Sequence, residues 1–261
     1  MSLIAVFDSG VGGLSIYQEI VKQCPDHNYV FISDNLAFPY GTKNEDDLIG
    51  RVLTVIDQVD KQYHPDLLVV ACNTASTLAL PALRQQFKFP IVGVVPAIKP
   101  AAKITKSKVI GLLATPGTIA RSYTQDLIEE FAFDCDVIKV GSSPLVEIAE
   151  QKLSEGKPSL KQIEQELEPF FKNKRLDCLV LACTHFPLLN KEIEQIFKAK
   201  NHSVDLIDSG LAIANRVAEL CPNSKDKTDN FNTAVFTKLL ESSSLKTHLQ
   251  NLGFNNIDLL D

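Results

Sequence analysis

The chain contains one unusual arrangement twice. Val69-Val70-Ala71-Cys72-Asn73-Thr74-Ala75-Ser76 is an apolar run that stops at a thiol and then turns small and polar. Val180-Leu181-Ala182-Cys183-Thr184-His185-Phe186-Pro187 repeats the plan. A continuous apolar run of this length, ending in turn formers, reads as a strand covered on both faces, the habit of parallel sheets. A fold built on it must deliver two thiols to two strand exits.

The remaining chain supplies the helices such a sheet needs. Leu3 to Phe7 is an apolar run broken by Asp8-Ser9-Gly10-Val11-Gly12-Gly13, and Leu14 to Gln23 follows with helical spacing. Tyr29 to Ile32 reads as a strand and Glu45 to Gln62 as a long surface helix with acids in its first turn. After Leu67 to Ala71 a helix is expected from about Ser76, disturbed at Pro81, then a strand at Ile91 to Val95. The second half reads Val109 to Ala114 as strand, Ile119 to Phe131 as helix, and Val137 to Val140 as strand. A helix from Pro144, capped by Ser143, and another at Leu160 to Phe171 follow. Cys178 to Ala182 and Val204 to Ile207 read as strands, and Leu211 to Leu220 as a helix. The tail is polar after Pro222 until Ala234-Val235-Phe236, and closes with a helix at Thr237 to Asn251 and a strand at Asn255 to Leu260.

This alternation defines an α/β class with mainly parallel sheets. It also echoes itself. The strand and turn at 4–13 resemble those at 109–118, an offset of 105 residues, and the thiols at 72 and 183 lie 111 apart. The expectation is two similar open-sheet α/β domains related by pseudo-symmetry, 1–97 plus 208–261 and 98–207, with the active site in the cleft between them. Ligands of open sheets sit beyond the carboxyl ends of strands, where both thiols are placed.

Composition narrows the setting. Hydrophobic residues make up 45% and charged residues 22%, enough for a full core. The net charge of −6 argues against a general nucleic-acid or anionic-membrane surface. The longest apolar runs are far too short to span a bilayer, and the start shows no basic segment of a secretory signal. The expected location is the cytoplasm, where a disulfide framework among the six cysteines is not expected. Cys24, Cys135, Cys178 and Cys221 are taken as structural.

Two thiols facing one cleft suit a 1,1-proton transfer, in which one group removes a proton from a carbon and another delivers one to the opposite side. A free thiol has a pKa of about 8.5 and can serve as acid or base near neutrality. Asp8 and His185 stand where they can adjust a neighbouring thiol, and Ser9, Asn73, Thr74 and Thr184 offer neutral hydrogen-bonding groups. Plainer readings exist for each residue alone. Asp8 is then a helix cap, His185 a satisfied turn residue, Glu147 a solvated first-turn acid and Tyr40 a packing ring. The Gly10-Val11-Gly12-Gly13 loop fits neither the dinucleotide nor the phosphate-loop spacing.

Four motifs in order, Phe7-Asp8-Ser9-Gly10-Val11-Gly12-Gly13-Leu14, Phe38-Pro39-Tyr40-Gly41, Ala71-Cys72-Asn73-Thr74-Ala75 and Ala182-Cys183-Thr184-His185-Phe186-Pro187-Leu188-Leu189, closely resemble the bacterial glutamate racemases of the aspartate/glutamate racemase family. The resemblance reaches at least Asp208-Ser209. It implies interconversion of L- and D-glutamate without pyridoxal phosphate, metal or other cofactor, supplying D-glutamate for peptidoglycan. It implies that Cys72 takes the α-proton of D-glutamate and Cys183 that of L-glutamate, assisted by Asp8 and His185. Substrate would be held by Asp8, Ser9, Tyr40, Gly41, Asn73, Thr74, Thr184 and His185. Glu147 joins the catalytic set through Pro144-Leu145-Val146-Glu147. Phe186 stands where many members have tyrosine. Aspartate racemases share the two-thiol plan but differ around the second cysteine, so Thr184-His185 favours glutamate.

Two other functions use the same residues. One is a metal-dependent hydrolase with Cys72, Cys183, His185 and Asp8 as a zinc set. Cys178 and Cys183, five apart, would point to opposite faces of an extended strand and add no local site. The other is a binder of small amino or keto acids without catalysis. The sequence does not define the oligomeric state, and a homodimer is left open.

Overall fold

Parallel strands buried on both faces need apolar runs, and the runs named above supply them. The structure is a computed structural model and describes residues 2–222 and 231–260, so much of the polar stretch after Pro222 lies outside the described residues. In chain order come first β1 (Leu3–Asp8), α1 (Leu14–Gln23), β2 (Asn28–Ser33), α2 (Glu45–Tyr63), β3 (Leu67–Val70), α3 (Asn73–Gln86) and β4 (Ile91–Gly93), then α4 (Ile98–Ile104), which packs on the second sheet. That sheet's stretch of chain carries β5 (Val109–Ala114), α5 (Pro116–Ala120), α6 (Ser122–Phe131), β6 (Asp136–Gly141), α7 (Pro144–Glu155), α8 (Leu160–Phe171), β7 (Cys178–Ala182), α9 (Asn190–Ala199) and β8 (Asp205–Ile207). Then come α10 (Gly210–Leu220), β9 (Asn232–Phe236), α11 (Ser243–Asn251) and β10 (Asn256–Leu259).

Among the described residues the strands form two sheets, β10-β9-β2-β1-β3-β4 and β6-β5-β7-β8, and the pairings are all parallel. The order β2-β1-β3-β4 in the first matches β6-β5-β7-β8 in the second, so the echo in the sequence is an echo in topology. Alternate residues of β1 enter different cores, as the two-residue period of a strand requires. Ile4 and Val6 pack with α1 and α10, while Ala5 and Phe7 pack with α2 and α3. Strand β9 adds to β2 in the register Val30↔Thr233, which returns the tail to the first sheet.

Several boundaries differ from the sequence reading, each for a local reason. Helix α3 starts at Asn73, with Cys72 as its extended cap residue, and runs through Pro81. The helix expected from Ile119 is two pieces, because Arg121 is extended and Thr115 caps a separate turn at Pro116. Ser143 precedes α7 without a side-chain cap bond. Its neighbour Ser142 accepts the Leu145 N–H instead, at 3.1 Å. The last helix begins only at Ser243, where Ser242 caps Leu245. Helices α4 and α9 were not anticipated, although Ile193, Ile196 and Phe197 form an apolar stripe on α9.

Candidate active site

Strands β1 and β3 are neighbours in register Phe7↔Val70, so their exits lie side by side. Asp8 ends one strand and Cys72 follows the other by two residues. Asp8 is fully buried. Its Oδ2 accepts the Gly13 N–H at 2.8 Å, which braces the turn before α1, while Oδ1 has no partner. Cys72 Sγ lies 3.7 Å from Ser9 Oγ.

Burial pushes the Asp8 carboxyl above its ordinary range, against the pull of the His185 charge and the hydrogen bonds from Gly13 and Cys72. Burial, and then the Asp8 charge, push the Cys72 thiol well above the usual thiol range. Asp8 and Cys72 are therefore buried neighbours that both hold protons more tightly than usual, the condition for passing one between them.

The second thiol has different company. Cys183 follows β7, and its Sγ lies 3.8 Å from His185 Nδ1. His185 Nε2 lies 2.7 Å from Glu150 Oε1 on α7. Burial lowers the imidazole, but the hydrogen bonds to Cys183 and Glu150 outweigh it and leave His185 well above the ordinary histidine range. A charged imidazole between a sulfur and a carboxylate can pass a proton to and from the sulfur.

Glu150 was missed by the sequence reading, which chose Glu147 on the same helix. The two are three residues apart and share a helix face. Glu147 lines the cavity, whereas Glu150 holds the histidine. The i, i+3 spacing was visible; which acid reached His185 depended on how α7 packs.

Both thiols line one cavity. The first-sheet side contributes Ser9, Tyr40, Gly41, Cys72, Asn73 and Thr74, and the second-sheet side Glu147, Cys183, Thr184 and His185. Asp8 stands behind Cys72 and does not line it. The cavity encloses about 60 Å³. A water needs roughly 10–15 Å³, so this is room for a handful of waters or one small molecule. Phe38, Thr115 and Ser143 also line it and were not anticipated. Asn73 Nδ2 is buried without a partner, a donor available to a ligand. The Tyr40 hydroxyl is committed elsewhere: it donates to Asp34 Oδ2 at 2.5 Å. Tyr40 thus offers the cavity its ring and backbone.

Among the described residues no three His, Cys, Asp or Glu side chains group as a metal site would. Cys24, Cys178 and Cys221 are buried free thiols, and burial first, then the Asp177 charge, push Cys178 up to about 12. No helix among the described residues is long and apolar enough to cross a membrane.

A family profile described as Asp/Glu/Hydantoin racemase matches residues 4–217. The chain is 48% identical over 263 aligned residues to a glutamate racemase of Shewanella sp. (strain MR-7), covering 98% of this chain and 95% of the relative. It is similar to the crystal structure of Escherichia coli glutamate racemase in complex with L-glutamate and activator UDP-MurNAc-ala, with a TM-score of 0.92, 45% identity, and 99% and 98% of the two chains covered. A glutamate racemase isoform from Bacillus anthracis gives a TM-score of 0.83 at 30% identity, with 100% and 97% covered.

Proposed function

This chain belongs to the Asp/Glu/Hydantoin racemase family, and on that premise we propose that it is a glutamate racemase moving the α-proton of glutamate between Cys72 and Cys183. The observation that carries the reading is that two thiols, at the exits of topologically equivalent strands, line one small cavity. The E. coli relative's complex with L-glutamate supports the substrate.

Cys72, as thiolate, takes the α-proton of D-glutamate, and Cys183 as thiol delivers one to the opposite face. From L-glutamate the order reverses. Asp8 receives the proton that must leave Cys72 before attack, and His185, held by Glu150, does the same for Cys183. Thr74, Thr184, Ser9, the free Asn73 amide and the Gly41 backbone offer hydrogen bonds for the substrate's charged ends. Enclosure keeps water from the carbanion-like intermediate. Glu147 lines the cavity, where its carboxyl group would favour the substrate's ammonium end.

The product, D-glutamate, would serve peptidoglycan synthesis in the cytoplasm. The division into 1–97 plus 208–261 and 98–207 is supported by the membership of the two sheets. A homodimer is tested by sedimentation velocity. The reaction is tested by proton NMR of L-glutamate in D₂O without added cofactor, followed by chiral analysis. Loss of the α-proton signal with D-glutamate formation is expected. Exchange with aspartate alone would keep the mechanism and change the substrate, and no exchange with either would overturn the reading.

A further inference from the structure

The Gly10-Val11-Gly12-Gly13 loop matches no phosphate-binding pattern, and its contacts show another use. A Cβ on Gly10 would stand 2.2 Å from Glu150 Oε1 and 3.1 Å from His185 Nε2. On Gly12 it would stand 2.4 Å from His185 Nδ1. Between them the Val11 N–H donates to Glu150 Oε1 at 2.7 Å, the same oxygen that faces His185 Nε2. Ser15 Oγ lies 2.8 Å from both the Gly12 carbonyl of the loop and the Thr184 carbonyl, one residue from the histidine, so its one proton is shared between the two halves. The loop and Ser15 belong to the first-sheet half, and Glu150, Thr184 and His185 to the second. The backbone of one half therefore fits against the acid–base pair of the other, at a distance no side chain would allow. Phe38, also from the first half, closes on the ring with centroids 5.8 Å apart.

Asp8 and Cys72, by contrast, both come from the first sheet. We propose that Gly10, Val11, Gly12 and Ser15 are positioning residues for the Cys183 side alone: they seat Glu150 and His185, so that this half of the acid–base machinery is assembled by docking of the two halves. The proposal rests on the racemase reading above and deepens it. Because L- and D-glutamate are equal in free energy, kcat/KM for racemisation must be the same in both directions and cannot separate the two sides. A one-base reaction can.

With 3-chloroglutamate, a thiolate takes the α-proton, the C–H electron pair becomes the Cα=Cβ bond, and chloride leaves with the C–Cl pair. The L-configured compound reads Cys183 and the D-configured compound reads Cys72. Chloride release by Gly12→Ala should fall at least tenfold with the L compound and less than threefold with the D compound, measured at a temperature where the variant is folded. Equal losses, or an L rate within threefold of the parent, would overturn the proposal. Should Gly12→Ala not fold, Ser15→Ala carries the same test, with at least a fivefold loss for L and under twofold for D. Equal effects there would overturn it too. If the unmodified protein neither racemises glutamate nor releases chloride, it is the functional reading that fails.

Discussion

Ala114 occupies in the second sheet the place that Asp8 holds in the first. Phe7 pairs with Val70, which sets Asp8 beside Ala71, and Ala114 pairs with Ala182. Cys72 and Cys183 each follow that alanine. The duplicated halves thus kept the thiol and diverged in what serves it: a buried carboxylate on the strand exit in one, and a histidine two residues on, held by a helix glutamate, in the other. The same task, taking a proton from a thiol and returning it, is thus given to an acid on one side and to a base on the other.

If Cys72 and Cys183 act one on each face, Cys72→Ser and Cys183→Ser should each abolish racemisation. A hydroxyl is far too weak an acid to replace a thiol as base at neutral pH. Both residues are nearly buried, so each change should cost about 1–3 kcal/mol in unfolding experiments and leave the fold intact. A single variant racemising at the parent rate would end the two-base assignment.

Asp8 should trade stability for activity. Its folded-state carboxyl value lies above the unfolded value of about 3.9, so ionisation disfavours the folded state, fully above the folded value and not at all below the unfolded one. Asp8→Asn should therefore raise the melting temperature at neutral pH and lose that advantage in acid. Its activity should drop roughly 10²–10⁴-fold with loss of the proton acceptor. A lowered melting temperature at pH 7 would show that the carboxylate is stabilising there.

These features differ in how far the sequence disclosed them. The two thiol-ended runs and their helical spacers gave the class, because burial on both faces leaves its mark on every residue of a strand. Asp8, Ser9 and Asn73 sit within a few residues of strand ends and could be placed from the pattern. Glu150 could not: Glu147 and Glu150 are chemically alike, and only the packing of α7 against the glycine loop selects one for His185. Nor was the fate of the Tyr40 hydroxyl visible, since its partner Asp34 is shared with Arg51 and Thr237 from distant segments.

That shared carboxylate makes Tyr40 a separate test. Burial would raise the Asp34 carboxyl, but hydrogen bonds from Arg51, Thr237 and Tyr40 outweigh it and hold it below the usual range. Tyr40→Phe should cost about 1–3 kcal/mol of stability. It should leave kcat within about threefold, because the hydroxyl serves Asp34 and not the substrate. A large loss of kcat with stability intact would instead place the hydroxyl on glutamate. For Asp34→Asn the stability lost should be present above the unfolded value of about 3.9 and vanish as pH falls through the lower folded value.

His185 predicts the opposite dependence. Its folded-state value is raised, so the stability it contributes as an imidazolium is fully present below the unfolded value of about 6.5 and is lost as pH rises through the folded one. The groups acting on it are Cys183 and Glu150 by hydrogen bond, and Asp8 by charge from the first sheet. His185→Asn should therefore cost about 1.5–3 kcal/mol at pH 6, the value of a charge-assisted hydrogen bond, and progressively less in alkaline solution. Urea unfolding of both proteins across this range measures the difference directly. A cost that instead grows as pH rises through about 6.5 would mean that the imidazole is neutral in the folded protein, and Cys183 would then have to exchange its proton with a neutral partner. A cost constant with pH would mean that folding does not raise its titration at all.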